Sequence, residues 1–246
     1  MVDIHAHILP GVDDGAKDIK DSLAIARKLI EKGITHVVAT PHYMEDLCQL
    51  TPEETEKRVE QLQSVFSDEG LNIKVLPGAE AYITADLGKK VKSGQIATLN
   101  NSRYILVELP MNSIPGYVHH VFYDLLVLGY TPIIAHPERN SLLFKRQDYL
   151  KAWLEEGVLL QLNAGSLLGI HGPSVKSVAK KLLINRKFHF IASDIHTGKE
   201  KNRSIFNGFE KIKKLTGFNN GLFCYNARRV IDNLAIDHQE QILQSN

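Results

Sequence analysis

Cysteine is almost absent from this sequence, and long hydrophobic runs are missing. The 246 residues include two cysteines, Cys48 and Cys224, which lie far apart and so predict a reducing compartment rather than a disulfide scaffold. No stretch approaches the ~20 consecutive apolar residues of a membrane-spanning helix. The chain starts directly on a predicted strand, without the basic and apolar segments of a signal peptide. We therefore expect a cytoplasmic protein with no membrane insertion.

The sequence also lacks an excess of charge of either sign. The formal net charge is +1 and no basic block occurs, so the composition does not indicate nucleic-acid binding. Hydrophobic residues make up 43% of the chain, which is ample material for a core. An α/β barrel commonly takes about this length as one domain. We expect a single domain over residues 1–246.

Short apolar, β-branched runs recur along the chain, and each precedes a helical pattern. Runs of this kind are typical of strands buried on both faces of a parallel sheet. The predicted strands are Val2–Ile4, His36–Thr40, Ile73–Leu76, Tyr104–Leu109, Thr131–Ala135, Val158–Leu162 and Phe188–Ala192. The predicted helices are Asp18–Lys32, 52–68, Ala85–Ser93, Tyr117–Leu128, Gln147–Glu156, Ser174–Asn185, Arg203–Leu215 and Asn226–Leu234. Seven strand–helix units predict either a barrel or an open doubly wound sheet.

Ionisable residues follow the predicted strands at similar places. His5 and His7 are two residues apart on the first strand, so both imidazoles point to the same side. The later strands end in His42, Glu80, Glu108, His136, Asn163, and Asp194 with His196. The carboxyl ends of barrel strands share one mouth, where chemistry takes place.

This concentration of imidazoles and carboxylates predicts a site for several divalent metals. Such groups are not buried together without compensating cations. Because the donors are nitrogen and oxygen without thiolate, the set suits Mn, Fe, Zn or Co better than a structural zinc site. Polynuclear sites of this kind bind phosphoryl oxygens and activate water. In contrast, neither cysteine is followed six positions later by the arginine that a cysteine-based phosphatase needs, because those positions hold Glu54 and Val230.

Several motifs resemble those of a known superfamily. The stretch 5–15 (HAHILPGVDDG) is joined by 39–42 (ATPH), 101–104 (NSRY), 135–140 (AHPERN) and 192–196 (ASDIH). Together they resemble the PHP (polymerase and histidinol phosphatase) superfamily, and within it the bacterial protein-tyrosine phosphatases encoded with capsule and exopolysaccharide synthesis. The resemblance runs in order from residue 1 to about residue 236. It implies a distorted seven-unit (β/α) barrel, TIM-barrel-like, and a three-metal manganese site, with Fe, Zn, Co or Mg as substitutes.

The resemblance also implies roles for individual residues. One metal would take His5, His7 and Asp194 with Glu80 bridging, a second would take Glu80, Glu108 and His136, and a third would take Asp14, His42 and His196. Arg139 would bind the phosphate, since a planar guanidinium suits phosphate oxygens, and with His136 it would be essential for turnover. A second basic residue after the last strand is expected, for which Lys201 and Arg203 are candidates, with Arg203 preferred.

The leading hypothesis is a metal-dependent protein-tyrosine phosphatase. Its expected partner is a membrane-associated bacterial tyrosine kinase that controls capsule or exopolysaccharide synthesis. The nearest alternative is a small-molecule phosphoesterase such as a histidinol-phosphate phosphatase. A non-catalytic regulator and an amidohydrolase are further hypotheses. The full ligand set with Arg139 argues against the regulator, and Glu80 and Glu108 on the middle strands argue against the amidohydrolase. The oligomeric state is left open.

Overall fold

The computed structural model describes residues 1–185, 187–199, 205–217 and 221–236. Within these residues all strand pairings are parallel, and helices follow most strands. The strands are β1 (Val2–Ala6), β2 (His36–Ala39), β3 (His42–Tyr43), β4 (Lys74–Pro77), β5 (Glu80–Tyr82), β6 (Tyr104–Glu108), β7 (Thr131–Ala135), β8 (Leu159–Asn163) and β9 (Phe190–Ala192). The helices are α1 (Ile19–Glu31), α2 (Pro52–Asp68), α3 (Leu87–Lys92), α4 (Val118–Val127), α5 (Gln147–Glu155), α6 (Ala164–Leu168), α7 (Gly172–Ile184), α8 (Ile205–Thr216) and α9 (Gly221–Ile231). None of the helices in the described residues is long and apolar enough to cross a bilayer.

The strands form two sheets whose ends approach each other. One sheet has the order β1-β2-β4, and the other has the order β3-β5-β6-β7-β8-β9. The last strand returns to the first, because a parallel bridge joins Ala6 to Ile195 and the backbone N–H of Asp194 donates to the carbonyl of His5 at 2.9 Å. The first and last strands are therefore neighbours, and their carboxyl ends open on the same side of the molecule.

The predicted strands His36–Thr40 and Ile73–Leu76 correspond to β2 and β4, and each is followed by a short strand, β3 or β5, that was not predicted. Thr40 and Pro41 separate β2 from β3, and Gly78 and Ala79 separate β4 from β5. The strands before the breaks, β2 and β4, belong to the sheet that contains β1. The strands after the breaks, β3 and β5, belong to the sheet that contains β6. Proline cannot donate a ladder hydrogen bond, which favours a break at Pro41. The splits place His42 and Glu80 at the first positions of β3 and β5, paired directly with each other.

A register irregularity in β1 changes which face its side chains occupy. Val2 and Ile4 belong to the inner hydrophobic cluster of the barrel, whereas Ala6 and Ile8 belong to the outer cluster under the helices. Simple alternation cannot place all four in this way, and the pairing with β2 shifts between residues 3 and 6. A β-bulge is the device that makes such a switch. After the shift, His5 near the end of β1 and His7 just beyond it share the face opposite to Ala6 and Ile8.

Helix α9 covers the amino-terminal ends of the strands, opposite the polar mouth. Ala227, Val230 and Ile231 belong to the inner cluster with the barrel residues. Buried Tyr104 of β6 donates from its hydroxyl to the carbonyl of Leu234 at 2.7 Å. This apolar closure leaves the other end of the barrel as the place where polar groups gather.

The helices follow the predicted pattern with two differences. Helix α6 was not predicted, and it follows β8 directly at the mouth side. The last helix begins at Gly221 rather than at Asn226. Its apolar residues Phe223 and Ala227 are buried four positions apart, which fits a helical face starting earlier than the sequence suggested.

Candidate metal centre

The predicted ligands converge on one cavity of about 530 Å³ at the carboxyl ends of the strands. His5 and His7 lie beneath it, fully buried. The residues that line the cavity are Asp14, His42, Met44, Leu47, Glu80, Glu108, Met111, His136, Arg139, Asp194 and His196. The sequence-predicted ligands are therefore brought together in space, although they come from strand ends spread over about 190 positions of the chain.

The first group of donors combines His5 of β1 and His7, which follows this strand, with two carboxylates. The Nε2 atoms of His5 and His7 are 3.2 Å apart. Each lies 3.3 Å from Oε2 of Glu80 and 3.4 Å from Oδ1 of Asp194. His5, His7 and Glu80 thus place one donor atom each within 4.8 Å of one another, and Oδ1 of Asp194 lies beside both imidazoles. Nitrogen and carboxylate oxygen donors of this kind are accepted by divalent metals.

The second group lies on β3, β5 and β6. Nδ1 of His42 is 3.1 Å from Oε2 of Glu80 and 3.7 Å from Oε2 of Glu108. These three atoms are buried and make no hydrogen bond within the described residues. His136 approaches from β7, with Nε2 at 2.8 Å from Oε1 of Glu80 and 3.9 Å from Oε1 of Glu108. Buried polar atoms normally have partners, so these orphaned atoms fit a bound cation.

The third group is closer to solvent. Oδ1 of Asp14 lies 3.5 Å from Nε2 of His42 and 3.4 Å from Nε2 of His196. Together with His7 these residues place one donor atom each within 4.8 Å of one another. The Asp14 side chain is 61% exposed, yet its oxygen faces the two imidazoles. The donor set therefore has room for a third cation at the rim of the cavity.

Asp13 has a different role from its neighbour Asp14. Nδ1 of His7 donates to Oδ2 of Asp13 at 2.7 Å, and the backbone N–H of His42 donates to the same oxygen at 3.0 Å. The backbone N–H of Gly15 donates to Oδ1. Asp13 was given no role from the sequence. A histidine that binds a metal through one ring nitrogen commonly donates from the other to a carboxylate. This hydrogen bond fixes the tautomer and the orientation of the ring.

A chain of amide side chains supports the other buried histidine. Nδ1 of His5 donates to Oε1 of Gln161, whose Nε2 donates to Oδ1 of Asn163. Nδ2 of Asn163 then donates to Oδ2 of Asp194 at 2.6 Å. Each donor–acceptor assignment fixes the next, so Nε2 of His5 is left to face the cavity. The sequence placed Asn163 at the right strand end without assigning it a role.

The charged donor groups shift one another's pKa values. Burial opposes charge on His5, but the carboxylates of Glu80 and Asp194 raise its pKa to about 9. Burial and the positive charge of His7 lower the pKa of His196 to about 4. Burial together with the charge of Glu80 raises the pKa of Glu108 to about 7. The pKa values of these buried groups therefore depend on one another's charges. This is expected of a site in which a bound cation supplies the remaining counter-charge.

Two of the strand ends turn through a left-handed backbone conformation. His136 has φ 31° and Asp194 has φ 52°, both outside the usual range for residues other than glycine. Asp and His are enriched among the exceptions. Strained backbone of this kind clusters at functional sites. At both positions the turn directs the side chain into the shared cavity.

Arg139 contributes a cationic group to the wall of this cavity. It ends the short 3₁₀ turn Pro137–Arg139 and is partly exposed, with Nη1 3.2 Å from Oδ2 of Asp194. Its neighbour Glu138 does not pair with it but is buried, accepting the backbone N–H of Asn163 at 3.0 Å. The candidates for a second basic residue, Lys201 and Arg203, lie outside the described residues.

The two cysteines do not belong to the site. Cys48 and Cys224 are free thiols, and neither lines the cavity. Burial raises the pKa of both thiols, which is the opposite of what a nucleophilic cysteine needs.

The sequence and structural neighbours of the chain identify its family. The sequence model for capsular polysaccharide synthesis proteins CpsB/CapC matches residues 1–232. The chain belongs to the CpsB/CapC family. The tyrosine-protein phosphatase YwqE of Bacillus subtilis is 38% identical over 202 residues, covering 82% of this chain and 80% of that protein. The tyrosine-protein phosphatase CpsB of Streptococcus agalactiae is 31% identical over 252 residues, covering 95% and 99%.

Solved structures agree with this family assignment. A structure from work on YwqE of Bacillus subtilis and CpsB of Streptococcus pneumoniae, described as unique metal-dependent tyrosine phosphatases, superposes with a TM-score of 0.91. It is 35% identical and covers 96% of both chains. A histidinol phosphate phosphatase of Lactococcus lactis, 18% identical with a TM-score of 0.55 over 87% of this chain and 93% of that one, shares the fold. The resemblance to the bacterial tyrosine phosphatases of capsule synthesis and the TIM-barrel-like α/β fold class are confirmed.

Proposed function

We propose that this CpsB/CapC protein is a metal-dependent protein-tyrosine phosphatase that hydrolyses phosphotyrosine in polypeptides. The observation that carries the proposal is the orphaned set of Nδ1 of His42, Oε2 of Glu80 and Oε2 of Glu108, which converge beside Arg139 in one cavity. Divalent metals bound there supply Lewis-acid activation of water and neutralise the charge on phosphoryl oxygens. The tyrosine phosphatases among the relatives support the same substrate class.

The ligand groups correspond to three cations. We propose that His5, His7, Glu80 and Asp194 hold the first, that His42, His136, Glu80 and Glu108 surround the second, and that Asp14, His42 and His196 hold the third. This differs from the sequence-based assignment in one respect, because His42 lies between the second and third groups and not in the third alone. Nitrogen and oxygen donors without thiolate suit manganese, which we propose as the cofactor.

The protein's own groups complete the chemistry. Arg139 binds the phosphate, since its guanidinium is always charged and presents forked donors to phosphate oxygens. Nε2 of His136 donates to Oε1 of Glu80 at 2.8 Å, a hydrogen bond that a bound cation would replace. A tyrosyl leaving group has a pKa near ~10, so it departs more readily than an alkoxide. We propose no covalent intermediate and no role for either cysteine.

We further propose that residues 1–246 form one catalytic domain acting in the cytoplasm. The family match over residues 1–232 supports the single domain. The proposed partner is the phosphorylated tyrosine kinase, associated with the membrane, that controls capsule or exopolysaccharide synthesis. The capsular polysaccharide synthesis named for the family supports this context.

Turnover of a phosphotyrosine peptide by the manganese-loaded protein tests the proposal. Arg139→Ala and His136→Ala should each lower kcat/KM by 100-fold or more while the circular dichroism spectrum stays unchanged. His119→Ala is the matched control, because His119 lies on α4 with its side chain 56% exposed. Full activity in the first two variants, or faster turnover of histidinol phosphate than of the peptide, would contradict the proposal.

A further inference from the structure

A second cavity adjoins the metal centre. It has a volume of about 240 Å³, and we name it the aromatic side pocket. Its lining residues are Tyr43, Met44, Glu45, Gln49, Tyr82, Ile83, Thr84, Leu87, Lys90 and Tyr117. Met44 lines both this pocket and the metal cavity, so the two spaces are neighbours.

The strands that supply metal donors also supply the pocket. Tyr43 directly follows His42 on β3, and Tyr82 comes two residues after Glu80 on β5. Tyr82 is also the register partner of Glu108 on β6. The short strands β3 and β5 thus carry both proposed metal ligands, His42 and Glu80, and two aromatic residues of the side pocket.

The lining decides what chemistry the side pocket accepts. Tyr43, Tyr82 and Tyr117 present three aromatic rings, and Met44 and Leu87 add apolar surface. Aromatic rings pack favourably on other rings, and methionine sulfur packs well on ring edges. The lining therefore suits an aromatic side chain as the bound group.

The cation in the pocket does not indicate a second phosphate site. Nζ of Lys90 lies 3.2 Å from Oδ1 of Asp86, one turn earlier, so its charge is already compensated. Pockets for whole small ligands commonly have volumes of about 300–1,000 Å³. A space of about 240 Å³ is suited to one side chain instead.

We propose that the aromatic side pocket binds an aromatic side chain of the substrate polypeptide, a few residues from the phosphotyrosine held in the metal cavity. This inference rests on the proposed phosphotyrosine phosphatase activity. It adds a sequence preference to that activity, namely that a phosphotyrosine with an aromatic neighbour is a better substrate than one flanked by alanine. A small metabolite does not reach the side pocket and gains nothing from it.

Tyr117 is the residue through which the pocket can be tested. It is 37% exposed, its side chain is not a donor in the metal centre, and its hydroxyl donates to the carbonyl of Ile83 at 3.4 Å. Tyr117→Ala and Tyr117→Leu remove the ring, and Tyr117→Phe keeps it. Tyr123, 55% exposed on α4 and absent from the pocket lining, provides the control variant Tyr123→Ala.

The experiment compares kcat/KM of the manganese-loaded enzyme for phosphotyrosine peptides with phenylalanine or alanine at each of three positions on either side. At one or two positions phenylalanine should raise kcat/KM by about 3- to 10-fold, the effect of one aromatic contact. Tyr117→Ala and Tyr117→Leu should abolish this preference, whereas Tyr117→Phe and Tyr123→Ala should keep it. All four variants should hydrolyse p-nitrophenyl phosphate like the unaltered enzyme.

The outcomes separate this inference from the function on which it rests. Equal kcat/KM for all peptides, or a preference that survives Tyr117→Ala and Tyr117→Leu, overturns the side pocket while leaving the phosphatase intact. Failure of the unaltered, manganese-loaded enzyme to hydrolyse any phosphotyrosine peptide or p-nitrophenyl phosphate overturns both. If Tyr117→Ala does not fold, Tyr117→Leu and the peptide series on the unaltered enzyme decide the question.

Discussion

Nδ1 of His7 donates to Oδ2 of Asp13 at 2.7 Å, and that carboxylate also accepts the backbone N–H of His42. One buried oxygen therefore orients a proposed ligand of the first cation and anchors the backbone of a proposed ligand of the other two. Burial opposes charge on Asp13, yet the hydrogen bond from His7 lowers its pKa to about 2. The carboxylate stays ionised throughout the physiological range.

Asp13→Asn should weaken metal binding without unfolding the protein. An amide can accept from His7 but carries no charge to hold its Nδ1 proton, and loss of such a support typically lowers metal affinity by about 10- to 100-fold. Titration with manganese, followed by metal analysis after dialysis, measures the change. Asp68→Asn, at the exposed end of α2, is the control. Unchanged affinity would show that His7 does not need this partner.

Gly15→Ala should disrupt the turn that carries Asp13 and Asp14. A Cβ at this position would lie 2.3 Å from the carbonyl oxygen and 2.4 Å from Cβ of His7, so the turn must move away from β1. We expect a loss of about 1–3 kcal/mol in unfolding free energy together with reduced manganese content. Denaturant unfolding compares it with Gly116→Ala, where an added Cβ meets no heavy atom within 4 Å. Equal stability of the two variants would argue against close packing at Gly15.

Metal binding should release protons at neutral pH. In protein stripped of metal by a chelator, the pKa of His5, raised to about 9 by Glu80 and Asp194 against the effect of burial, keeps that imidazole protonated at pH 7. A cation must displace this proton. Calorimetric titration with manganese in two buffers of different ionisation enthalpy should therefore report at least one proton released per molecule. No buffer dependence would contradict the charge distribution in the site.

The stripped protein should lose stability as the pH rises from 6.5 to 9. The folded pKa of His5 lies above its ordinary value of 6.5. Its contribution is thus fully present below pH 6.5 and is lost as the pH passes about 9. The melting temperature of the stripped protein measures this fall, and the manganese-loaded protein is the comparison, since metal bound to deprotonated histidines is favoured at higher pH. A rising melting temperature in the stripped protein would contradict it.

Tyr104→Phe should lower stability without changing catalysis. The Tyr104 hydroxyl donates to the carbonyl of Leu234 at the end of the barrel opposite the metal centre, where α9 covers the strands. Loss of one such hydrogen bond costs about 0.5–1.5 kcal/mol. Thermal unfolding and peptide turnover measure the two effects, with Tyr123→Phe as the exposed control. A large fall in kcat would mean that the two ends of the barrel are coupled.

Sequence periodicity predicted the strand–helix order and the position of each polar strand end. It could do so because buried parallel strands consist of short apolar runs, and the residue that follows each run stands at the common mouth. Periodicity could not reveal that a strand resumes after Pro41 and after Gly78, because β3 has only two residues and β5 only three. Helix α6, with only five residues, is too short to show a helical period.

Residues 5–15 show most clearly which features follow from the sequence and which depend on tertiary structure. The sequence by itself determined that His5 and His7 lie on one side of a strand, because alternation depends only on local backbone geometry. Tertiary structure alone decided that this side faces the cavity, since the register shift of β1 against β2 changes the face after Ile4. It also decided that Asp13 supports His7 while Asp14 faces His42 and His196. Adjacent carboxylates in a turn are equivalent in sequence, and only packing against distant strands gives them different partners.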